Sequence, residues 1–327
     1  MEQRLLGNSG LKVSAIGMGC FNFGSIIDAA MTQHVVDKAV DVGISLFDTA
    51  NTYGGRGKSE EFLGRALGSR RKQVLIATKF GMPMGDGPRL QGGASRDTIM
   101  RSVEASLTRL GTDYIDLYQV HVPDTMTSIA ETMRALEDLV RQGKVRYIGH
   151  SNFSGSQIAD AAWTAKVERL YPFVSGQNHY NVLTRAIEAD IVPACQRHGL
   201  GLITYFPLES GLLSGKYAFG EQPPADSRMA KWSQTMPDAV GRFFQETKRH
   251  QAHALQEWCA KRGYRMLDVA FGWLLAKPYV SCIIAGASKP EQLLANMSAL
   301  GWRPTAEDLK DIDAICPPPP DAGGRVF

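Results

Sequence analysis

The sequence predicts a (β/α)8 TIM barrel preceded by a β-hairpin. Three observations predict it. Short apolar runs of strand length alternate with longer segments at helical period. The runs after the hairpin number eight. Titratable side chains gather where the runs end, which is the rim where such barrels carry their sites. Strands joined by helices pair in parallel, because each crossover returns the chain to the same end. Eight such units close into a barrel, and 327 residues suit a single barrel domain over 1–327, since such barrels run past roughly 250 residues.

The elements follow in order. Arg4–Leu6 and Lys12–Val13, joined by Gly-Asn-Ser-Gly, form the hairpin. The strand runs are Ala15-Ile16-Gly17, Ser45–Asp48, Val74–Thr78, Tyr114–Val120, Val145–His150, Phe173–Ser175, Gly201–Phe206 and Ser281–Ala285. Between them, Ile99, Val103, Leu107 and Leu110 make an apolar helical stripe. Ser128 to Glu131 has the form of a capping box, opening a helix that turns Met133, Leu136 and Val140 inward and stops at Gly143. Ser154 to Gln157 is a second such box. Pro290 suits the first turn of a last helix. A stretch rich in Gly, Pro, Ser and Lys separates Phe206 from the next helical segment near Val240. A connection that long is usually functional, and this one leaves the C-terminal end of a strand. The tail 317-PPPPDAGGRVF-327 cannot build a helix.

Composition excludes several classes. With 44% hydrophobic and 21% charged residues the chain is ordinary for a globular protein. Its net charge of +3 is spread rather than blocked, and no basic stripe with interleaved aromatics suggests nucleic acid. The basic clusters Arg70-Arg71-Lys72 and Lys261-Arg262 suit helix ends, where cations complement the dipole. Five cysteines without a CxxC pair argue against a disulfide framework or a zinc site. No apolar run is long enough for a membrane span or signal peptide, so a reducing cytoplasm is the default compartment.

The chemistry lies at the strand ends. The second strand ends on Asp48, with Tyr53 in the Gly-rich turn after it. The third ends on Lys79 and the fourth on His121. Each has a plainer reading: a cap, a solvated strand end, a core histidine, a packed loop aromatic. Together, at one edge of three neighbouring strands, they make a proton-transfer set. A phenol is a weak acid at neutral pH, its ordinary pKa being about 10. An adjacent ammonium lowers that value, and a carboxylate offsets the cost of burying the ammonium. Tyr53 then becomes a general acid for a carbonyl oxygen, with His121 donating a hydrogen bond to the same oxygen. The hydride must come from a cofactor, because no side chain supplies one. Gly17 and Gly19 carry only the first two glycines of a G-x-G-x-x-G fingerprint, and Thr52 stands where the near-P-loop at 55–59 needs its first glycine. The cofactor is therefore expected over the barrel mouth.

The segments 43-GISLFDTANTYG-54, 77-ATKF-80, 149-GHSNF-153, 203-ITYFPLESGLLSGKY-217 and 280-VSCIIAGASKPEQLLAN-296 resemble, in that order, the aldo-keto reductase superfamily, over nearly the whole chain. The subgroup with a long loop after strand seven is the nearest in form. The resemblance implies NADPH-dependent reduction of aldehydes and ketones, with Asp48, Tyr53, Lys79 and His121 as the tetrad. It also implies a set of cofactor positions. Gly19, Cys20 and Phe21 follow the first strand, and Ser151 and Asn152, with Gln177 beside them, would bond the nicotinamide carboxamide. Tyr205 would stack on the nicotinamide ring. Phe206, Pro207, Leu208, Ser210, Leu213 and Lys216 lie in the loop that folds over the pyrophosphate. Gly286, Ala287, Ser288 and Lys289 would hold the adenosine phosphate, with Gln292 and Asn296 at the adenine end.

One departure bears on the cofactor. Gln292 stands where many members carry the arginine that grips the 2′-phosphate, so NADPH is expected with NADH open; Lys289, Lys216 or Arg228 could substitute. Met82, Trp232 and the stretch 81–90 could line a substrate pocket. Three functional readings stay open: a carbonyl reductase, an NAD(P)-linked sugar dehydrogenase running the chemistry backwards, and a nucleotide-sensing regulatory subunit. Each would act on or sense small molecules, without nucleic acid or membrane.

Overall fold

Gly7 turns the chain at positive φ between β1 (Gln3–Leu5) and β2 (Lys12–Ser14), an antiparallel pair. A Cβ there would stand 2.3 Å from the Gly199 carbonyl oxygen, so only glycine lets the hairpin seat against the barrel floor. Arg4 fastens it further, donating to the carbonyls of Leu275 and Val280. In this computed structural model of the chain, the structure describes residues 1–217, 230, 233–234, 241 and 244–320.

Eight parallel strands close the barrel in sequence order: β3 (Ile16–Gly19), β4 (Leu46–Asp48), β5 (Leu75–Phe80), β6 (Ile115–Val120), β7 (Val145–Ser151), β8 (Ser175–His179), β9 (Gly201–Tyr205) and β10 (Val280–Gly286). Closure is made by β10, which pairs with both β9 and β3. The helices are α1 (Ala29–Asp41), α2 (Lys58–Leu67), α3 (Arg96–Leu110), α4 (Ile129–Arg141), α5 (Gly155–Glu168), α6 (Ile191–His198), α7 (Glu246–Arg262), α8 (Met266–Leu275), α9 (Pro290–Ser298) and α10 (Ala306–Ile315). The stripe Ile99, Val103, Leu107 and Leu110 is buried on α3, as its spacing predicts.

Strand periodicity positions the site. Side chains alternate across a strand, so Leu46 and Asp48 share a face, as do Leu75, Ala77 and Lys79, and Leu117 and Gln119. At the lower end of the barrel this face is apolar: Leu46, Ala77, Leu117, Ile203, Cys282 and Ile284 form one cluster with Leu6 and Val13 of the hairpin. At the upper end the same face carries Asp48, Lys79 and Gln119, all buried. The opposite faces, with Phe47, Ile76, Phe80 and Tyr118, join the larger core under the helices.

Several expectations shift. The sixth barrel strand is not Phe173–Ser175 but Ser175–His179. Its residues are polar, and pairing with β7 and β9 rather than propensity makes them a strand. Lys79 lies inside β5, which runs on to Phe80. The Ser128 box is half made: Ser128 accepts from the Glu131 amide, but Glu131 accepts instead from Arg96 N. The Ser154 box is complete. Arg70 to Lys72 sit in a 3-10 turn, where Arg71 is buried and pairs with Asp116 at 2.8 Å. Val240, where the next helical segment was expected, lies outside the described residues; α7 begins at Glu246, and α10 follows the helix opened by Pro290. Trp232, Arg228 and the tail from 321 lie outside the described residues.

His150, on β7, is fully buried, with its ring stacked on Phe153 at 4.6 Å and edge-on to Phe173 at 5.3 Å. Neither ring nitrogen has a hydrogen-bond partner among the described residues. Burial pushes its pKa down to about 3. In the unfolded chain the imidazole takes up a proton below about 6.5, whereas the folded chain resists it. Stability from this residue is therefore whole above pH 6.5 and is lost as pH falls toward 3, at about 1.4 kcal/mol per pH unit. His150→Leu should remove one proton's worth of this slope and raise the urea midpoint at pH 5. Urea denaturation across pH 4–7 measures both; an unchanged slope would place the proton uptake elsewhere.

Candidate active site

Asp48, Lys79, His121 and Tyr53 converge at the C-terminal rim. Lys79 is completely buried, and its ammonium donates to Asp48 Oδ2 at 2.6 Å and to the Thr49 carbonyl at 2.9 Å. The carboxylate makes the buried cation tolerable. Burial alone would push the Lys79 pKa down, but Asp48 and then the Tyr53 phenol oppose it and leave it raised. Asp48 Oδ1 accepts from Gln177 Nε2 at 2.7 Å and Gln119 Nε2 at 3.4 Å. The carboxylate is thus fixed from three strands beyond its own.

Tyr53 stands on the turn after β4, half-buried. Lys79 Nζ lies 5.1 Å from its ring centroid. The His121 ring meets it edge-on at 5.8 Å, and Phe21 does so from another side at 5.2 Å. Burial raises the phenol pKa, Lys79 lowers it and Asp48 raises it, with the balance above the ordinary value. The expected lowering of the phenol by Lys79 is not met: the ammonium offsets only part of the desolvation. His121 is pushed down to about 3, by burial first and the Lys79 charge second. Its imidazole is therefore neutral at physiological pH, and Nδ1 has no partner among the described residues.

Around this centre the other sequence-identified positions divide into two clusters. Ser151 Oγ donates to the Gln177 carbonyl at 2.8 Å, and Asn152 Nδ2 donates to Ser151 Oγ and the His121 carbonyl, each at 3.0 Å. Tyr205 donates its hydroxyl to Asn152 Oδ1 at 2.8 Å, and its ring stacks on His179 at 5.5 Å. Gly19 and Gly286 are register partners on β3 and β10, Cys20 is buried after β3, and Phe21 is exposed. Asn152, Phe206, Glu209 and Ser210 all hold positive φ, a costly conformation for non-glycine residues that clusters at ligand sites. In the loop after β9, Leu213 is buried, Leu208 is half-buried and Lys216 lies over the Tyr217 ring at 5.2 Å. Ser210 is buried with a hydroxyl that has no partner among the described residues, an acceptor-seeking group where a pyrophosphate is expected. At the second cluster, Ala287 and Asn296 are buried. Gln292 Oε1 accepts from Ser288 N at 2.8 Å and Ser288 Oγ at 3.0 Å. Lys289 is exposed at the N-terminus of α9, which has no side-chain cap.

A buried network beneath Tyr205 was not anticipated from the sequence. Glu209 is fully buried and binds His179 at 2.7 Å, Thr184 Oγ1 at 3.0 Å, Asn181 and Lys248. Burial would raise its carboxyl, but His179 and Lys248 hold it down at about 2. A glutamate within an apolar loop, FPLESGLL, was the available signal. Gln119 was also overlooked, although the period of two from Leu117 points it inward.

Among the described residues no cluster of His, Cys, Asp and Glu could hold a metal ion, and no helix is long and apolar enough to cross a membrane. All five cysteines are free and buried.

The sequence model of the Aldo/keto reductase family matches residues 15–317. The chain is 36% identical to the uncharacterized oxidoreductase YrpG of Bacillus subtilis, over 98% of this chain and 97% of that protein. It is 34% identical to an L-glyceraldehyde 3-phosphate reductase of Escherichia coli O157:H7, over 96% and 92%. It is 37% identical to a putative voltage-gated potassium channel subunit beta of Schizosaccharomyces pombe, over 95% and 92%.

The Asp48–Lys79 pair yields a stability test. Asp48→Ala leaves a buried ammonium without its carboxylate and should cost about 3–5 kcal/mol, whereas Asp48→Ala with Lys79→Met, which removes both charges, should recover much of that. Urea melts of the three variants check the ordering; equal losses in single and double variants would contradict it.

Proposed function

The chain belongs to the aldo/keto reductase family and is an NAD(P)H-dependent oxidoreductase, and from that premise we propose that it reduces aldehydes and ketones with NADPH, Tyr53 supplying the proton. One observation carries the reading: the ammonium of Lys79, fixed by Asp48 at 2.6 Å, lies 5.1 Å from the Tyr53 ring with a neutral His121 at its edge.

The raised phenol pKa keeps Tyr53 protonated at neutral pH, as a proton donor must be. When it gives its proton to the substrate oxygen, a phenolate forms beside the Lys79 cation, and that attraction grows as the charge develops. Asp48 does not touch substrate; it positions Lys79. His121, neutral, donates a hydrogen bond to the carbonyl oxygen and orients it toward Tyr53.

The residues present fit a nicotinamide cofactor. Ser151, Asn152 and Gln177 would hold the carboxamide and Tyr205 would face the ring. The strained loop with its unpartnered Ser210 hydroxyl would receive the pyrophosphate, and Ser288 with Lys289 the 2′-phosphate. When bound, the cofactor supplies the hydride. NADPH is favoured over NADH by Lys289, while Gln292 offers no charge to a phosphate and commits its oxygen to Ser288. The five free thiols support placing the protein in a reducing cytoplasm.

Small aldehydes, among them phosphorylated ones as in the Escherichia coli relative's name, make the first substrate panel. Sugar oxidation in the reverse direction is the same chemistry. A regulatory-subunit role, which the fission-yeast relative's name as a channel subunit brings into view, would reveal itself as tight NADPH binding without turnover of any carbonyl.

Tyr53→Phe should lower kcat by about 10²–10⁴-fold while leaving the NADPH dissociation constant within about twofold, measured by fluorescence titration; undiminished turnover would remove Tyr53 from its role. Gln292→Arg should tighten NADPH by about tenfold through a charge-assisted bond and leave NADH unchanged. Equal tightening of both would place position 292 away from the 2′-phosphate.

A further inference from the structure

The turn that carries Tyr53 continues as Gly54, Gly55, Arg56 and Gly57, and all four hold positive φ, from 69° to 110°. Three are glycines, which adopt this conformation freely; Arg56, at 76°, does not. A strained non-glycine residue this close to the reacting groups points to a use for its side chain.

That side chain reaches the loop that follows the neighbouring strand, β5. A methyl group on Gly85, in the loop after Lys79's strand, would stand 3.3 Å from Arg56 Nη1 and 3.0 Å from Leu90 Cδ1. The guanidinium and Leu90 therefore lie side by side against the backbone at Gly85. No hydrogen bond or ion pair engages Arg56 among the described residues, nor the exposed Lys58 two positions on. The neighbouring arginines differ: Arg89 and Arg101 both pair with Asp97, at 2.7 and 2.9 Å. Asp86, next to Gly85, forms no ion pair with Arg56. Apolar groups frame the approach, Phe21 against the Tyr53 ring and Leu90 beside the guanidinium, 47% and 44% exposed.

From this arrangement, and resting on the carbonyl-reductase reading above, we propose that Arg56, aided by Lys58, binds an anionic group at the far end of the substrate. The preferred substrates are then acidic aldehydes, with a short carbon stem over Phe21 and Leu90 and a carboxylate or phosphate on the guanidinium. Both anions offer the paired oxygens that a guanidinium fork engages. In the reaction the carbonyl takes a hydride from NAD(P)H and a proton from Tyr53 to become an alcohol. The cofactor is oxidised, Tyr53 regains its proton from water, and the anionic group is unchanged.

The test compares kcat/KM on matched pairs: butanal against succinic semialdehyde for the carboxylate arm, and glyceraldehyde against glyceraldehyde 3-phosphate for the phosphate arm. The wild-type protein should favour the acidic member of at least one pair by about tenfold, and the preference should shrink with added salt. Arg56→Gln should erase it while leaving the neutral member within about twofold. Arg56→Gly, which also relieves the backbone, should do the same, and Arg56→Lys should restore part. An equal wild-type kcat/KM within both pairs, or an acidic preference that survives Arg56→Gln and Arg56→Gly, would overturn the proposal and leave the reductase reading standing. No turnover of any aldehyde would overturn both.

Discussion

A lysine with no solvent exposure is the constraint around which the rest is arranged. A buried ammonium persists only where a carboxylate and further acceptors surround it. Asp48 meets that need from the neighbouring strand, and Thr49 adds a carbonyl. Asp48 in turn must be kept from drifting, and Gln177 and Gln119 hold its other oxygen. The barrel can supply these partners because its strands bring residues 48, 79, 119 and 177 to one level of its interior. Closure is thus a condition of the chemistry: an open sheet would let water to the pair and weaken the field that it exerts on Tyr53.

The interior changes character along the barrel axis. Its floor is apolar and plugged by the hairpin, while its upper layer is polar and hydrogen-bonded. Above that, the backbone itself is strained at Arg56, Asn152, Phe206, Glu209 and Ser210. Of the non-glycine residues with left-handed backbone, only Arg169, the C-cap of α5, lies away from the rim among the described residues; the others gather where barrels of this kind carry their sites.

Much of this was legible in the residues. Apolar runs located the strands that pack against helices, because those strands need buried side chains on both faces. The same reasoning fails at β8, where Ser175, Gly176, Gln177 and Asn178 are all buried though none is apolar. That strand lies between two others and serves the polar upper layer, so its pattern carries no hydrophobic signal. Asp48, Lys79 and His121 were legible because each sits at or next to a strand end, and Tyr53 because it opens the Gly-rich turn that follows β4. The sign of the Tyr53 shift was not, since it depends on how much water burial removes, a quantity that no spacing encodes. The Glu209 network was hidden for the same reason: His179, Asn181 and Thr184 come from the end of β8 and the turn after it and Lys248 from α7, and only folding brings both to one carboxylate.

That network clarifies why the rim can hold its strained shape. Tyr205 is fixed by its hydroxyl on Asn152 and by its ring on His179. His179 is held by Glu209, which also ties the loop after β9 to Thr184, Asn181 and α7 through Lys248. Left-handed backbone at 206, 209 and 210 would relax if its side chains were free, but Glu209 cannot leave without exposing His179 and Lys248 to an uncompensated site. The buried carboxylate therefore transmits order from the outer helix to the aromatic wall of the mouth. It does so by the same physics that fixes Lys79: one charge, removed from water, that several neighbours must satisfy at once.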